Sequence, residues 1–192
     1  MYLVFDTETT GIVDFRQAPD AKGQPRMVQL GALLLDQDGK EVAQLNTMIR
    51  PNGFAVPDEA SMVHGITTEK ASRYGVPLRF ALHMFNQMAK CAEILVAYNI
   101  QYDDWVLRGE AARECCDHPM NLQSKRYHCA MLLSKDILKL PGKYRDYKWP
   151  KLQEAYRFFF NCDFDGAHDA MADVRATAAV YLKIRELKGV LV

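Results

Sequence analysis

Short apolar runs in the first quarter of the chain predict three strands. The first run, Tyr2–Phe5, is unbroken and rich in strand-forming residues, as is typical of a strand covered on both faces. A second run covers Met27–Leu35, and the polar segment Asp14–Arg26 before it is predicted as a loop. The sequence Asp36–Gly39 is a turn signal, so the segment Glu41–Ile49 is predicted to return as a hairpin partner of the second strand.

Helical periodicity dominates the rest of the chain. Apolar residues at helical spacing predict a helix over Leu78–Ala89, followed by a short buried strand over Ile94–Ala97. Further helices are predicted over Asp104–Cys115, Leu152–Phe160 and Asp169–Leu187. Because strands come first and strands and helices then mix, the order favours an α/β or α+β domain with a mixed sheet. With no repeat or linker in the sequence, a single domain over residues 1–192 is predicted.

Composition and charge exclude several classes of protein. Apolar residues make up 49% of the chain, which is ordinary for a globular domain. The 24 basic residues balance the 24 acidic ones, so a nucleic-acid binder that relies on overall positive charge is excluded, although a local basic patch is not. No apolar run approaches the ~20 residues that span a bilayer, so no membrane association is predicted. The 5 cysteines include no C-x-x-C pair, which favours reduced thiols and a cytoplasmic location.

Two acids end the first predicted strand. Asp6 and Glu8 are two residues apart, so in an extended backbone their carboxylates point to the same face. Like charges held together at the end of a buried strand need a compensating cation, and oxygen-rich sites are what Mg²⁺ and Mn²⁺ prefer. Ordinary solvated acids at a strand end are the alternative, and this pair alone does not exclude it.

Two more acidic positions follow later in the chain. Asp103 lies just before a predicted helix, where it is either a functional acid or a helix N-cap; its neighbour Asp104 is also a candidate cap. His168 and Asp173 are five residues apart and cannot share one face of a regular helix. They converge if His168 lies in the preceding loop, Asp169 caps the helix and Asp173 lies one turn inside it. A surface or capping role for His168 is the alternative.

Three motifs in this order resemble those of the DEDDh 3′–5′ exonucleases, a DnaQ-like family. The first is Asp6–Gly11, the second combines Asn99 with Asp103, and the third combines His168 with Asp173. The family likeness extends through residues 168–178 and nearly the whole chain, and within the family it is greatest to the proofreading ε subunits of bacterial DNA polymerase III. The segment Val63–Thr67, with Glu59 five residues before its histidine, also resembles a family loop. Two departures stand beside the second motif, where Tyr98 and Tyr102 replace the usual histidine and phenylalanine.

The resemblance implies a ribonuclease H-like fold, with a mixed β-sheet flanked by α-helices, and a metal-dependent exonuclease that releases nucleoside 5′-monophosphates from single-stranded DNA. It implies that Asp6, Glu8, Asp103 and Asp173 hold two divalent ions, Mg²⁺ or Mn²⁺, in a two-metal mechanism, with His168 as general base. The family positions that bind substrate are Thr7, Thr9, Thr10, Glu59, His64, Ile66, Tyr98 and Asn99. Among these, Ile66 is expected to wedge against the terminal base, and the departure at Tyr98 leaves open how the strand is held there.

A basic and aromatic loop provides further candidates for strand binding. The loop Pro141–Pro150 and its flank carry Lys139, Lys143, Arg145, Lys148 and Trp149. Such groups hold single strands through charge and stacking, although a plain solvated loop is the alternative. The chain ends at Val192 without the C-terminal extension by which ε subunits bind polymerase. A stand-alone nuclease, or one recruited by a replication partner through another surface, is therefore expected.

Two other functions stay open from the sequence. An exoribonuclease of the RNase T or oligoribonuclease type would use the same chemistry on RNA. A catalytically silent nucleic-acid-binding module on the same fold would be expected to lack one of the acids or the histidine, and all five are present.

Overall fold

A five-stranded mixed sheet forms the centre of the molecule in the computed structural model, which describes residues 1–115, 125–143 and 146–189. The strands are β1 (Tyr2–Thr9), β2 (Met27–Leu35), β3 (Glu41–Met48), β4 (Ile94–Ala97) and β5 (Arg126–Cys129). Their spatial order is β3-β2-β1-β4-β5. The first three strands are antiparallel neighbours, whereas β4 and β5 run parallel to β1. The mixed sheet predicted from the sequence is confirmed.

Helices cover both faces of this sheet. In chain order they are α1 (Asp58–His64), α2 (Thr68–Tyr74), α3 (Leu78–Cys91), α4 (Ile100–Arg113), α5 (Ala130–Leu138), α6 (Leu152–Phe160) and α7 (Ala170–Lys188). Successive strand side chains point to opposite faces, so Leu3 and Phe5 pack in the core formed with α3 and α4. Tyr2 and Val4 pack in the core formed with α5, α6 and α7. Over the described ranges, every helix is too short or too polar to cross a membrane.

Several predicted boundaries agree with the structure and others differ. β2 and α6 have the predicted bounds, and Asp169 is the predicted N-cap of α7, accepting hydrogen bonds from the backbone N–H groups of Met171 and Ala172. The helix predicted from Asp104 begins four residues earlier, at Ile100. The polar segment after β4 has the composition of a loop, but its residues form the first turn of α4 because Val106 and Leu107 anchor that helix in the core.

Four elements were not predicted from the sequence, namely α1, α2, β5 and α5. β5 is a four-residue edge strand whose side chains are half-buried or exposed, so it shows no apolar run. α5 follows it directly, and its buried residues Ala130, Ser134 and Leu138 do recur at intervals of four. The helical period is therefore present in the sequence of α5, but two of its three buried residues are alanine and serine, so it does not show as an apolar pattern.

Gly31 allows α7 to begin close against the sheet. It is paired with Asp6 on the neighbouring strand, and a Cβ atom at this position would lie 2.9 Å from the carbonyl carbon of Ala170. Real Cβ atoms do not approach a backbone carbonyl so closely. The first residue of α7 therefore packs directly beside the first acid of β1.

Candidate active site

Asp6 and Glu8 lie within β1 rather than beyond its end, because the strand continues to Thr9. Their partners across the sheet are Gly31 and Gln29 on β2. By alternation the two side chains share the face of Tyr2 and Val4, which is the face that α7 covers. The i, i+2 spacing thus brings both carboxylates under the start of that helix.

Asp103 is bound to β1 and does not cap a helix. It lies in the first turn of α4, only 3% exposed, and the N-cap position belongs to Asn99. Its Oδ1 accepts hydrogen bonds from the backbone N–H of Thr7 at 2.9 Å and from the Thr7 hydroxyl at 2.7 Å. The N-cap alternative for Asp103 is therefore wrong, and Asp104 instead pairs with Arg108 at 2.8 Å.

The third motif meets the first at the same place. One side-chain ligand atom each from Glu8, His168 and Asp173 lie within 4.8 Å of one another. His168 is exposed in the loop before α7, in the left-handed region at φ 69°, and its backbone N–H donates to Asp173 Oδ2 at 3.3 Å. His168 and Asp173 therefore converge as the five-residue spacing allows, because the histidine lies in the loop and the aspartate lies in the first turn of α7.

Burial is the main cause that raises the pKa of all four carboxyl groups, and neighbouring carboxylates add to it. The pKa of Glu8 rises from 4.5 to about 8. The pKa of Asp103 rises from 3.8 to about 7, and that of Asp173 from 3.8 to about 6. The pKa of Asp6 is also raised well above 3.8, because it is buried and faces the other acids. Without a compensating cation, Glu8 and Asp103 would therefore hold protons at neutral pH more readily than isolated carboxyl groups do.

These residues fit a divalent-cation site. The charges that shift the four pKa values are other carboxylates and, for Asp173, the imidazole of His168. In the described part of the chain, Oδ1 of Asp173 is buried without a hydrogen-bond partner. Buried carboxylates are stable when a cation compensates them, and a hard divalent ion prefers oxygen ligands. The donor set of Asp6, Glu8, Asp103 and Asp173 meets that requirement.

Gln29 holds the start of α7 against the sheet. It is 5% exposed, and its Nε2 donates to Asn46 Oδ1 at 2.9 Å and to Asp169 Oδ2 at 3.0 Å. Its Oε1 accepts from the backbone N–H of Ala170 at 3.3 Å. Since Gln29 is also the strand partner of Glu8, it sets the distance between β1 and the loop that carries His168. The sequence signal for this role is weak, because it consists of one polar residue inside an apolar strand.

Tyr102 replaces the phenylalanine expected from the motif. Its hydroxyl group holds the segment that follows β1 in place. It donates to the carbonyl of Gly11 at 2.8 Å and lies 2.7 Å from the Thr9 hydroxyl, which also donates to Gly11. Burial raises the pKa of Tyr102 to about 12, so its phenol stays neutral. Thr10 is held separately, because its hydroxyl accepts from the backbone N–H of Arg26 at 2.8 Å.

The remaining predicted substrate positions separate into exposed and buried groups. Glu59 is exposed on α1, and His64 ends that helix close enough to Thr9 and His168 for both to affect its pKa, which burial lowers. His64 Nδ1 accepts from the Ile66 backbone, so Nε2 carries the proton. Ile66 is only 3% exposed and packs with Val28 and other apolar residues, so in this conformation its side chain does not face a bound base.

Tyr98 and Asn99 directly follow β4 and precede α4. The Tyr98 ring is buried against α5 and α6, and its hydroxyl donates to the Pro150 carbonyl at 2.8 Å. This hydrogen bond holds the end of the basic loop against the segment that follows β4. Trp149, the residue before Pro150, is 64% exposed. Of the loop cations, Lys148 pairs with Glu154, Lys139 is exposed after α5, and Lys143 is exposed in the loop itself. Arg145 lies outside the described residues.

Comparison with known proteins gives one curated relative and several solved structures. The relative, Uncharacterized exonuclease CP81 of Escherichia phage 186, is 29% identical over 180 residues, covering 93% of this chain and 84% of that protein. Escherichia coli Exonuclease I, solved with a dT13 oligonucleotide, has a TM-score of 0.77 at 20% identity over 96% of this chain. Exonuclease I from Methylocaldum szegediense has a TM-score of 0.78 at 21% identity over 98% of this chain.

At these identities the structural likeness establishes the fold, which is the ribonuclease H-like fold expected from the motifs. The chain spans about two fifths of the Exonuclease I chains, 40% and 41% respectively. The family model for exonucleases of the RNase T type matches residues 3–181. The family uses divalent metals and hydrolyses nucleic acids. This chain therefore belongs to the RNase T family of exonucleases, of the DEDDh type.

Proposed function

We propose that this chain is a metal-dependent 3′–5′ exonuclease that acts on single-stranded DNA and releases nucleoside 5′-monophosphates. The observation that carries the proposal is the meeting of Glu8, His168 and Asp173 within 4.8 Å, beside Asp6 and Asp103. Single-stranded DNA is favoured because the Exonuclease I structures hold such oligonucleotides.

The four carboxylates would hold two divalent ions, Mg²⁺ or Mn²⁺. When bound, such ions supply a more acidic water and offset the negative charge that develops on the phosphate. The burial of Glu8 and Asp103 among other acids, which raises the pKa of both, supports this assignment, because a bound cation would compensate their charge.

His168 would act as general base toward the attacking water. Imidazole exchanges protons near neutral pH, and the exposed position of His168 lets it return the proton to solvent. The water oxygen forms a bond to the terminal phosphorus while the bond from phosphorus to the preceding 3′ oxygen breaks. The departing 3′ oxygen takes a proton from solvent, and a nucleoside 5′-monophosphate leaves the site.

The strand would pass between α1 and the basic loop. His64 carries its proton on Nε2 and lies close to the Thr9 backbone and to His168, so it is a candidate to donate to the terminal nucleotide. Trp149, held near the sheet edge by the bond from Tyr98 to Pro150, offers a face for base stacking. Glu59, Thr9 and Thr10 remain substrate candidates, whereas Thr7 is used to hold Asp103.

A comparison of 5′-labelled DNA and RNA oligomers of equal sequence tests the proposal. With Mg²⁺, the DNA is expected to shorten one nucleotide at a time from its 3′ end, and a chelator is expected to stop the reaction. Shortening of RNA alone would move the assignment to an exoribonuclease. Binding of either polymer without shortening would identify a silent binding module and overturn the proposal.

Gln29→Leu tests the positioning role of the residue that docks α7. It removes the bonds to Asp169, Asn46 and Ala170 while keeping an apolar core position filled. We expect kcat to fall about 10- to 100-fold with little change in KM, because a small displacement of catalytic groups has effects of this size. Gln44→Leu is the matched control, since Gln44 bonds α7 only through the exposed Arg175. Equal kcat values in the two variants would contradict the role of Gln29.

A further inference from the structure

A cleft lies at the same edge of the sheet as the carboxylates, on the face covered by α3 and α4. It encloses about 300 Å³ between the segment that follows β3 and the first turn of α3. Its charged and aromatic lining is Arg26, Arg50, Phe54, Arg79 and Glu114. This volume is at the lower end of ligand-binding clefts and suits a group the size of one nucleotide or less.

The cleft is locally basic although the whole chain is neutral. Arg26 is paired with the buried Glu110 at 2.9 Å, and Arg79 approaches Glu114 at 3.5 Å. Arg50 is exposed, and over the described ranges no carboxylate pairs with its side chain. The three guanidinium groups of the lining are set against two carboxylates, Glu114 in the lining and Glu110 behind Arg26, so an anion entering the cleft meets a net positive field that comes from Arg50.

Arg26 is fixed in orientation rather than free to swing. Its guanidinium carbon lies 4.5 Å from the centre of the Phe54 ring, and its Nε and Nη2 atoms both bond Glu110. A guanidinium held this way forms part of the wall. The cation available to a ligand is therefore Arg50, with Arg79 at the opposite side of the cleft.

The cleft is joined directly to the active-site segment. The backbone N–H of Thr10 donates to the Arg26 carbonyl at 2.9 Å, and the Thr10 hydroxyl accepts from the Arg26 N–H at 2.8 Å. Thr10 is two residues beyond Glu8, which corresponds to about 7 Å along an extended strand. A single strand whose 3′ end lies at the carboxylates on the α7 face would cross this edge of the sheet to reach Arg50 on the α3 and α4 face.

We propose that this cleft binds a backbone phosphate of the substrate strand upstream of the reacting 3′ end, with Arg50 as the principal contact. The inference rests on the proposed exonuclease function and extends it, because it assigns a second contact that depends on strand length. Arginine suits this contact because its planar group can donate two hydrogen bonds to one phosphate.

Arg50→Glu tests the cleft in the full chain, with thymidylate oligomers as substrates. We expect KM for a dodecamer to rise about tenfold while KM for a dinucleotide changes less than twofold, since the dinucleotide ends before the cleft. For the milder Arg50→Ala, the slope of log KM against log salt for the dodecamer should flatten by about 0.7, the value for one phosphate contact on a single strand. Lys40→Glu is the control, because it makes the same charge change in the turn between β2 and β3.

The outcomes distinguish this inference from the proposed function. If the unaltered chain shortens neither oligomer, the exonuclease assignment fails. If it shortens both and Arg50→Glu behaves like Lys40→Glu on the dodecamer, the cleft does not bind the strand. A free mononucleotide is the other source of the same phosphate chemistry, so thymidine 5′-monophosphate is added as an inhibitor. Weaker inhibition of Arg50→Glu with an unchanged dodecamer KM would make the cleft a product site and overturn the inference.

Discussion

Asp6→Asn is expected to lower the rate of mononucleotide release about 10³-fold or more at neutral pH. The substitution keeps the size of the side chain but removes a charge from the group of four acids that faces α7. Metal ions contribute several kcal/mol to reactions of this kind, and each 1.36 kcal/mol of barrier is about tenfold in rate. Asp38→Asn, an exposed acid in the turn between β2 and β3, is the matched control and should retain full activity.

The same substitution should stabilise the metal-free protein. A carboxyl group whose pKa is raised on folding binds its proton more tightly in the folded state. Its stabilising contribution is therefore complete below the unfolded pKa and is lost as the pH rises through the folded pKa. With the pKa of Glu8 near 8 and that of Asp103 near 7, unfolding free energy should fall between about pH 4 and pH 8 in chelator.

Asp6→Asn removes one member of the repelling group, so we expect it to be about 2 kcal/mol more stable than the unaltered chain near pH 8. The difference should vanish near pH 4, where the acids are protonated in both proteins. Urea unfolding in chelator measures it. A variant that is inactive and also less stable at both pH values would indicate a structural role for Asp6 and contradict its assignment as a metal ligand.

His168→Ala is expected to reduce kcat about 10²- to 10⁴-fold near neutral pH, which is the usual contribution of a general base. The side chain is exposed in the loop before α7, so its removal should leave the fold unaffected. The pH–rate profile of the variant should differ from that of the unaltered enzyme, because no imidazole then accepts the proton.

His83→Ala provides the control, since His83 is an exposed histidine on α3, away from the three motifs. Metal binding should persist in His168→Ala, because the carboxylates remain. A kcat within a fewfold of the unaltered enzyme, with an unchanged pH–rate profile, would remove His168 from the proton transfer.

The parts of the site that sequence predicted are those set by local geometry. Asp6 and Glu8 share a face because strand side chains alternate, and Asp169 caps α7 because an acid before an apolar helix accepts its first N–H groups. The sequence around Asp103 could not distinguish a helix N-cap from a functional acid, because both occur just before or at the start of a helix. Only the contact with Thr7, 96 positions away, distinguishes them.

The parts that sequence did not predict depend on contacts between distant segments. Gln29 meets Asp169 across 140 positions, and Tyr102 meets Gly11 across 91. Neither pair leaves a periodic signal, since each depends on how α7 and α4 dock on the sheet. Ile66 shows that a motif can also mislead about exposure. Its motif position is expected at the substrate, but its side chain is buried in a small apolar cluster. The sequence pattern was therefore enough to identify the acids, whereas the residues that position them depend on how the helices pack on the sheet.

We propose that Asp6, Glu8, Asp103 and Asp173 act together as one cation site. Calorimetric titration of the purified chain with Mn²⁺ at neutral pH, with Asp6→Asn titrated in parallel, measures this directly. We expect two bound ions for the unaltered chain, and at least one ion lost or bound tenfold more weakly by Asp6→Asn. Absence of binding to the unaltered chain, or identical titrations of the two proteins, would contradict it.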